Sequence, residues 1–129
     1  MRVLLAEDFA PLRLLYGIWL RSDGHEVVSC ADGRAALAVL EQEGAPDAAV
    51  LDVGMPIVDG IEVCRALRAL DPDAVILVQT SLDGVREAAD EAGADRVIAK
   101  PGSPDDLLRP LRELSRQKSG GGRIRTSVG

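Results

Sequence analysis

Val3-Leu4-Leu5-Ala6-Glu7-Asp8 and Ala48-Ala49-Val50-Leu51-Asp52 set the architecture, because each is a short apolar run that ends on carboxylates. Two further runs have the same form. Val75-Ile76-Leu77-Val78 leads through Gln79 to Thr80-Ser81, and Val97-Ile98-Ala99 leads to Lys100-Pro101. Short apolar runs bounded by turn residues read as buried strands. If they are neighbouring parallel strands, their polar ends gather at one edge of one sheet. Open α/β sheets place their sites there, outside the carboxyl ends of the strands. Three carboxylates, a hydroxyl and an ammonium then share one crevice.

The segments between the runs have helical spacing. Ala10 to Ser22 carries Leu12, Leu15, Tyr16 and Trp19 on one face, extended by Leu20, and Asp23-Gly24 closes it. His25 to Cys30 reads as a second strand. Asp32 caps a helix over Gly33 to Glu43. The third strand is Ala48 to Leu51, and a loop with Gly54, Pro56 and Gly60 leads into a helix ending near Ala69. Val75 to Gln79 is the fourth strand, Gly84 to Ala92 a short helix, and Arg96 to Ala99 the fifth strand. Ser103-Pro104-Asp105-Asp106 has the form of a helix start, with a hydroxyl cap, proline at the first position and acids at the positive end of the dipole. Pro110 lies inside that last helix and is expected to kink it. Strict β-α alternation predicts a parallel sheet with helices on both faces. One folded unit is expected over residues 1–117, followed by a flexible polar tail over 118–129 that contains Gly120-Gly121-Gly122.

Composition narrows the function. The chain has 129 residues, the size of one domain. Phe9, Tyr16 and Trp19 are its only aromatics, so it offers no base-stacking surface of the kind that binds single-stranded nucleic acid. The net charge is −6, and the last twelve residues carry Lys118, Arg123 and Arg125 with no acid, which leaves the body at −9. Such a body repels DNA and anionic membranes and suits divalent cations or basic partners. No apolar stretch is long enough to span a bilayer and no signal peptide opens the chain, so a cytoplasmic protein without membrane insertion is expected. Cys30 and Cys64 lack metal or redox spacing, and His25 is the only histidine.

Asp52 taken alone is a turn acid; its neighbourhood changes that. Clustered carboxylates raise one another's pKa unless a cation intervenes. Mg²⁺ suits them, since it takes hard oxygen ligands and keeps several waters. A carboxylate needs no general base to attack phosphorus and becomes an aspartyl phosphate directly. The spread negative charge of that transition state calls for a metal, a cation and a hydroxyl donor.

With these residues in place, the chain resembles the receiver domain of two-component response regulators. The matching text is Leu4-Leu5-Ala6-Glu7-Asp8, Pro46-Asp47, Leu51 through Glu62, Thr80-Ser81, Gly93-Ala94-Asp95 and Lys100-Pro101, spread over about residues 1–117. The resemblance implies a flavodoxin-like (βα)5 doubly wound sandwich with strand order 2-1-3-4-5. It implies that Asp52 accepts a phosphoryl group from a sensor histidine kinase or histidine phosphotransfer protein. Asp8 and Asp52 would bind Mg²⁺ (or Mn²⁺) directly, Glu7 through water, and Gly54 through its backbone carbonyl. Thr80 would hydrogen-bond the phosphoryl oxygens and Lys100 would contact them. Met55-Pro56 would shape the loop, and the Lys100–Pro101 bond would be cis. The only catalysis implied is the protein's own phosphorylation and dephosphorylation.

Three departures from the family pattern touch the output surface. The aromatic three residues before the lysine is replaced by Val97, the stretch from Thr80 to Lys100 is about two residues short, and Ser81 follows Thr80. The resulting expectation is a stand-alone receiver without DNA binding. Its expected output is contact with a downstream protein target on the face of the fourth helix, fifth strand and fifth helix, or onward phosphotransfer. Two other readings stand beside it. One is a receiver-like adaptor that binds constitutively. The other is an aspartyl-phosphate phosphatase of the haloacid-dehalogenase type, disfavoured because Gly54 stands where that chemistry needs a second acid.

Overall fold

The structure is a computed structural model that describes every residue except 56, 57, 82, 83 and 129, and no side chains over 119–128. The expectations for Pro56, Leu82 and Asp83 therefore lie outside the described residues. The elements run β1 (Arg2–Ala6), α1 (Ala10–Ser22), β2 (Glu26–Cys30), α2 (Gly33–Glu43), β3 (Ala48–Asp52), α3 (Gly60–Leu70), β4 (Val75–Thr80), α4 (Arg86–Ala92), β5 (Arg96–Ala99) and α5 (Pro104–Val128). The strands form one sheet in the order β2-β1-β3-β4-β5, with every pairing parallel. This is the doubly wound flavodoxin-like sandwich.

Strand side chains alternate between faces, and the apolar runs bury both. Leu4, Ala6, Ala49, Leu51, Ile76 and Val78 pack with Leu40 of α2, Val63, Cys64 and Leu67 of α3, and Ala89 and Ala92 of α4. Val3, Leu5, Val50, Val75 and Leu77 pack with Tyr16 and Leu20 of α1 and with Leu107, Leu108, Leu111 and Leu114 of α5. Each such Leu or Val side chain contributes about 1.5–3 kcal/mol by leaving water. On α1 the buried positions are Tyr16, Gly17 and Leu20, while Leu15 stays exposed. The expected stripe is thus rotated by part of a turn toward Tyr16, Gly17 and Leu20.

The caps follow the sequence. Asp32 accepts a hydrogen bond from the Ala35 amide at 2.7 Å, Asp59 from the Glu62 amide at 3.1 Å, and the Ser103 hydroxyl from the Asp106 amide at 3.3 Å. Such a cap is typically worth about 1 kcal/mol. Two glycines permit close approach. A Cβ on Gly33 would fall on the Val58 carbonyl, and one on Gly60 on the carbonyl of Asp52. The second contact seats the start of α3 directly against the end of β3.

Some boundaries differ from expectation. Asp52 and Thr80 are the last residues of their strands rather than the first beyond them. The short helix starts at Arg86, because Gly84 turns the chain at φ 82°. The backbone of α5 continues through Pro110 and on to Val128, with Leu114 the last described residue in the core. The cis bond expected between Lys100 and Pro101 is corrected: no described peptide bond is cis. A trans bond is the lower-energy isomer, and the four-carbon stem of the lysine reaches the site without the turn a cis bond would add.

Candidate functional site

The carboxyl ends of β1, β3, β4 and β5 converge as their register requires. Ala6 pairs with Leu51, Asp52 with Gln79, and Thr80 with Ala99. Glu7 extends β1 by donating its amide to the Cys30 carbonyl at 3.1 Å. Its side chain falls on the sheet face shared with α1 and α5, as do those of Asp52, Gln79 and Lys100.

Glu7 is 0 % exposed and Asp52 2 %. The Lys100 ammonium lies between them, donating to Glu7 Oε1 at 2.9 Å and to Asp52 Oδ2 at 3.2 Å. Glu7 Oε1 also accepts from Gln79 Nε2 at 3.3 Å, and Oε2 from the Phe9 amide at 3.0 Å. Asp52 Oδ1 accepts from the Gly54 amide at 3.1 Å. Asp8 is exposed at the mouth of the site. Carboxylate oxygens of Glu7, Asp8 and Asp52 all lie within 4.8 Å of one another.

Three acids thus share one lysine. Burial pushes the Glu7 carboxyl above its usual range, although the hydrogen bond from Lys100 works against that. Burial also opposes the charge on Lys100, but its bond to Glu7 and the field of Asp52 outweigh this and raise its pKa. The excess negative charge and the hard oxygen donors fit a divalent cation. Asp8, at the open side, gives that ion a route in from solvent.

The structure brings together Glu7, Asp8, Asp52 and Lys100. Gly54 is bonded to Asp52 through its amide. Thr80 is buried one register step beyond the Asp52–Gln79 pair. A cleft of about 290 Å³ opens beside it, lined by Thr80, Ser81, Val85, Arg86 and Val97 among others. Asp47 is structural, accepting the Arg2 amide at 2.7 Å. Asp95 joins a partly buried ion pair with Arg68 at 2.9 Å and accepts the Ile76 amide at 2.8 Å.

Sequence reasoning missed three supporting side chains. Arg13 donates to the Glu7 carbonyl at 2.9 Å and the Asp8 carbonyl at 3.4 Å, clasping the loop that carries both acids. Tyr16 sends its hydroxyl toward the Pro101 carbonyl at 3.4 Å. Gln79 lies under Glu7. Only Gln79 left a signal in the sequence, as a polar residue closing an otherwise apolar strand.

Comparison with known proteins agrees with this geometry. A family model described as the response regulator receiver domain matches residues 3–112. The response regulator MprA of Mycolicibacterium vanbaalenii is 41% identical over 119 residues, covering 91% of this chain and 51% of its own. MprA of Mycobacterium leprae is likewise 41% identical over 119 residues. The chain spans about half the length of these curated relatives. Among solved structures, chemotaxis response regulator CheY4 of Vibrio cholerae superposes with a TM-score of 0.80 at 30% identity, covering 88% of this chain and 97% of that one. The response regulator TrrA of Thermotoga maritima, solved in complex with Mg²⁺ and BeF, gives 0.79 at 29% identity, with 88% and 97% covered. The family match reaches every strand and takes in the whole of the acidic cluster, so the chain belongs to the receiver domains of two-component response regulators, with Glu7, Asp8 and Asp52 poised for metal-dependent phosphorylation of an aspartate.

Proposed function

We propose that Asp52 is the phosphoacceptor and that Asp8 and Asp52 bind Mg²⁺ (or Mn²⁺) directly, with Glu7 acting through water and Gly54 through its carbonyl. The observation that carries this reading is the Lys100 ammonium held between Glu7 and Asp52. A buried carboxylate with a cation on one oxygen and a backbone N–H on the other is held still beside Glu7 and Asp8. The Mg²⁺–BeF complex of TrrA supports the same ion here.

In the reaction, one Asp52 oxygen bonds to phosphorus as the bond from phosphorus to the donor's imidazole nitrogen breaks, and the imidazole leaves. Held by Asp8 and Asp52, Mg²⁺ would supply charge neutralisation for the phosphoryl oxygens. Lys100 moves its donors from Asp52 to those oxygens, and the Thr80 hydroxyl donates to another. Acyl phosphates serve as small donors by the same displacement, with the carboxylate leaving. The donor in the cell is a sensor histidine kinase or histidine phosphotransfer protein, and the compartment is the cytoplasm. No helix among the described residues is long and apolar enough to cross a membrane.

The receiver unit is residues 1–117, and its output is a protein contact on the α4–β5–α5 face. It binds no DNA by itself, in keeping with its acidic charge. Val97 is packed into the core beside Val78 and Ala89 and is stiff at its first side-chain torsion. The signal therefore passes through movement of Thr80-Ser81 and of the helix that starts at Arg86, with Gly84 as a hinge. NMR of the protein with Mg²⁺ and beryllium fluoride tests this. Shifts are expected at Gly54, Thr80, Lys100 and residues 84–90, with little at Val97, and none in Asp52→Asn. Changes confined to the acidic site would favour the constitutive adaptor, the reading that the substitution at Val97 also supports.

A further inference from the structure

Gln79 is out of character for its place. The rest of β4 before it is Val-Ile-Leu-Val, all buried. Gln79 is 0 % exposed, and its side chain falls on the face of Val75 and Leu77, over α1 and α5. Among the described residues its buried Oε1 has no hydrogen-bond partner. A buried amide with an orphan oxygen is unfavourable where an apolar side chain would fit. Its Nε2 donates to Glu7 Oε1 at 3.3 Å.

That oxygen is the one Lys100 also holds. Lys100 has two anchors, Glu7 and Asp52. When an Asp52 oxygen becomes bonded to phosphorus, the lysine must turn toward the new oxygens. The donor it gave Asp52 swings over while the ammonium pivots on Glu7 Oε1. Gln79 is the other described side chain that donates to that oxygen, so it fixes the pivot. With Gln79, Oε1 retains an N–H throughout.

We propose that Gln79 is a positioning residue that holds Glu7 in place while Lys100 transfers to the phosphoryl group, which makes it a determinant of phosphorylation rate rather than of metal affinity. The proposal rests on the reading of Asp52 as phosphoacceptor. The test uses Gln79→Met, of similar length but without the N–H, with acetyl phosphate as donor. The phosphorylation rate at saturating Mg²⁺ should fall about tenfold, while the Mg²⁺ dissociation constant changes less than about twofold. In a Glu7→Gln background, where the lysine has no buried anion to pivot on, Gln79→Met should have no further effect on rate. A merely structural glutamine would instead move affinity, rate and melting temperature together and act equally in both backgrounds. Gln79→Leu, matching the rest of β4, gives a second folded variant. Phosphorylation of Gln79→Met or Gln79→Leu at the wild-type rate overturns the proposal alone. Wild-type protein phosphorylated elsewhere than Asp52 overturns the reading beneath it.

Discussion

Replacing Asp8 by Asn should stabilise the protein and at the same time cost it its response to Mg²⁺. An Asp8 carboxylate oxygen lies within 4.8 Å of oxygens on both Glu7 and Asp52. At that separation two unit charges repel by about 0.9 kcal/mol in water and about 3.5 kcal/mol at an effective dielectric constant of 20. Asp8 is exposed, so the lower figure applies to each neighbour, and attraction to Lys100 offsets part of the total. The net relief in metal-free buffer is about 1 kcal/mol. With a urea slope of about 2 kcal/mol per molar, the unfolding midpoint should rise by about 0.5 M. For the wild type, Mg²⁺ at a hundredfold excess over its dissociation constant adds about 2.7 kcal/mol. If Asp8→Asn weakens binding a hundredfold, the same concentration adds only about 0.4 kcal/mol to the variant. Urea unfolding of both proteins, in chelator and in Mg²⁺, reads all four values. A variant less stable than wild type in chelator, or one that gains as much from Mg²⁺, refutes the account of the acids as a repelling metal site.

Two other perturbations probe the frame. Gly60→Ala puts a methyl group on the Asp52 carbonyl and should destabilise by about 1–3 kcal/mol, as overpacking does, while slowing phosphorylation because β3 and α3 must part; urea unfolding and the acetyl phosphate rate check both. His25 is held below its ordinary value of 6.5 by burial first and then by the nearby Met1 ammonium. Below about pH 6.5 the unfolded chain therefore takes up a proton more readily than the folded one, and stability falls from there down to the lower folded value. His25→Gln should flatten that part of the curve of melting temperature against pH.

Much of this was legible because strand parity is legible. Val3, Leu5, Val50 and Leu77 alternate with Leu4, Leu51, Ile76 and Val78, so a parallel sheet buried on both faces follows from the apolar runs alone. Asp52, Glu7, Thr80 and Lys100 stood out as polar residues closing such runs, and the roles of Thr80 and Lys100 toward the phosphate came from the resemblance. Gln79 stood out only as an anomaly. Its bond to Glu7 depends on β4 lying next to β3 in a register that sets Gln79 opposite Asp52, which no local pattern encodes. Arg13 has no signal at all, since a helix arginine that clasps two loop carbonyls reads like any solvated one. The exposure of Leu15 was missed because helical spacing fixes a stripe's width but not its rotation against the sheet. The cis Lys100–Pro101 bond was carried over from the family and backed by the argument that it turns the lysine toward the site, but the lysine reaches Glu7 and Asp52 across a trans bond.

Asp52 is the residue proposed to take the phosphoryl group. Incubation with acetyl phosphate and Mg²⁺, followed by mass spectrometry of the intact protein and of its peptides, tests it directly. The expected result is a single added phosphoryl group, acid-stable only briefly and mapped to the peptide containing Asp52, absent in chelator and absent in Asp52→Asn. A phosphoryl group carried on a serine or threonine, or added equally to Asp52→Asn, would contradict the account.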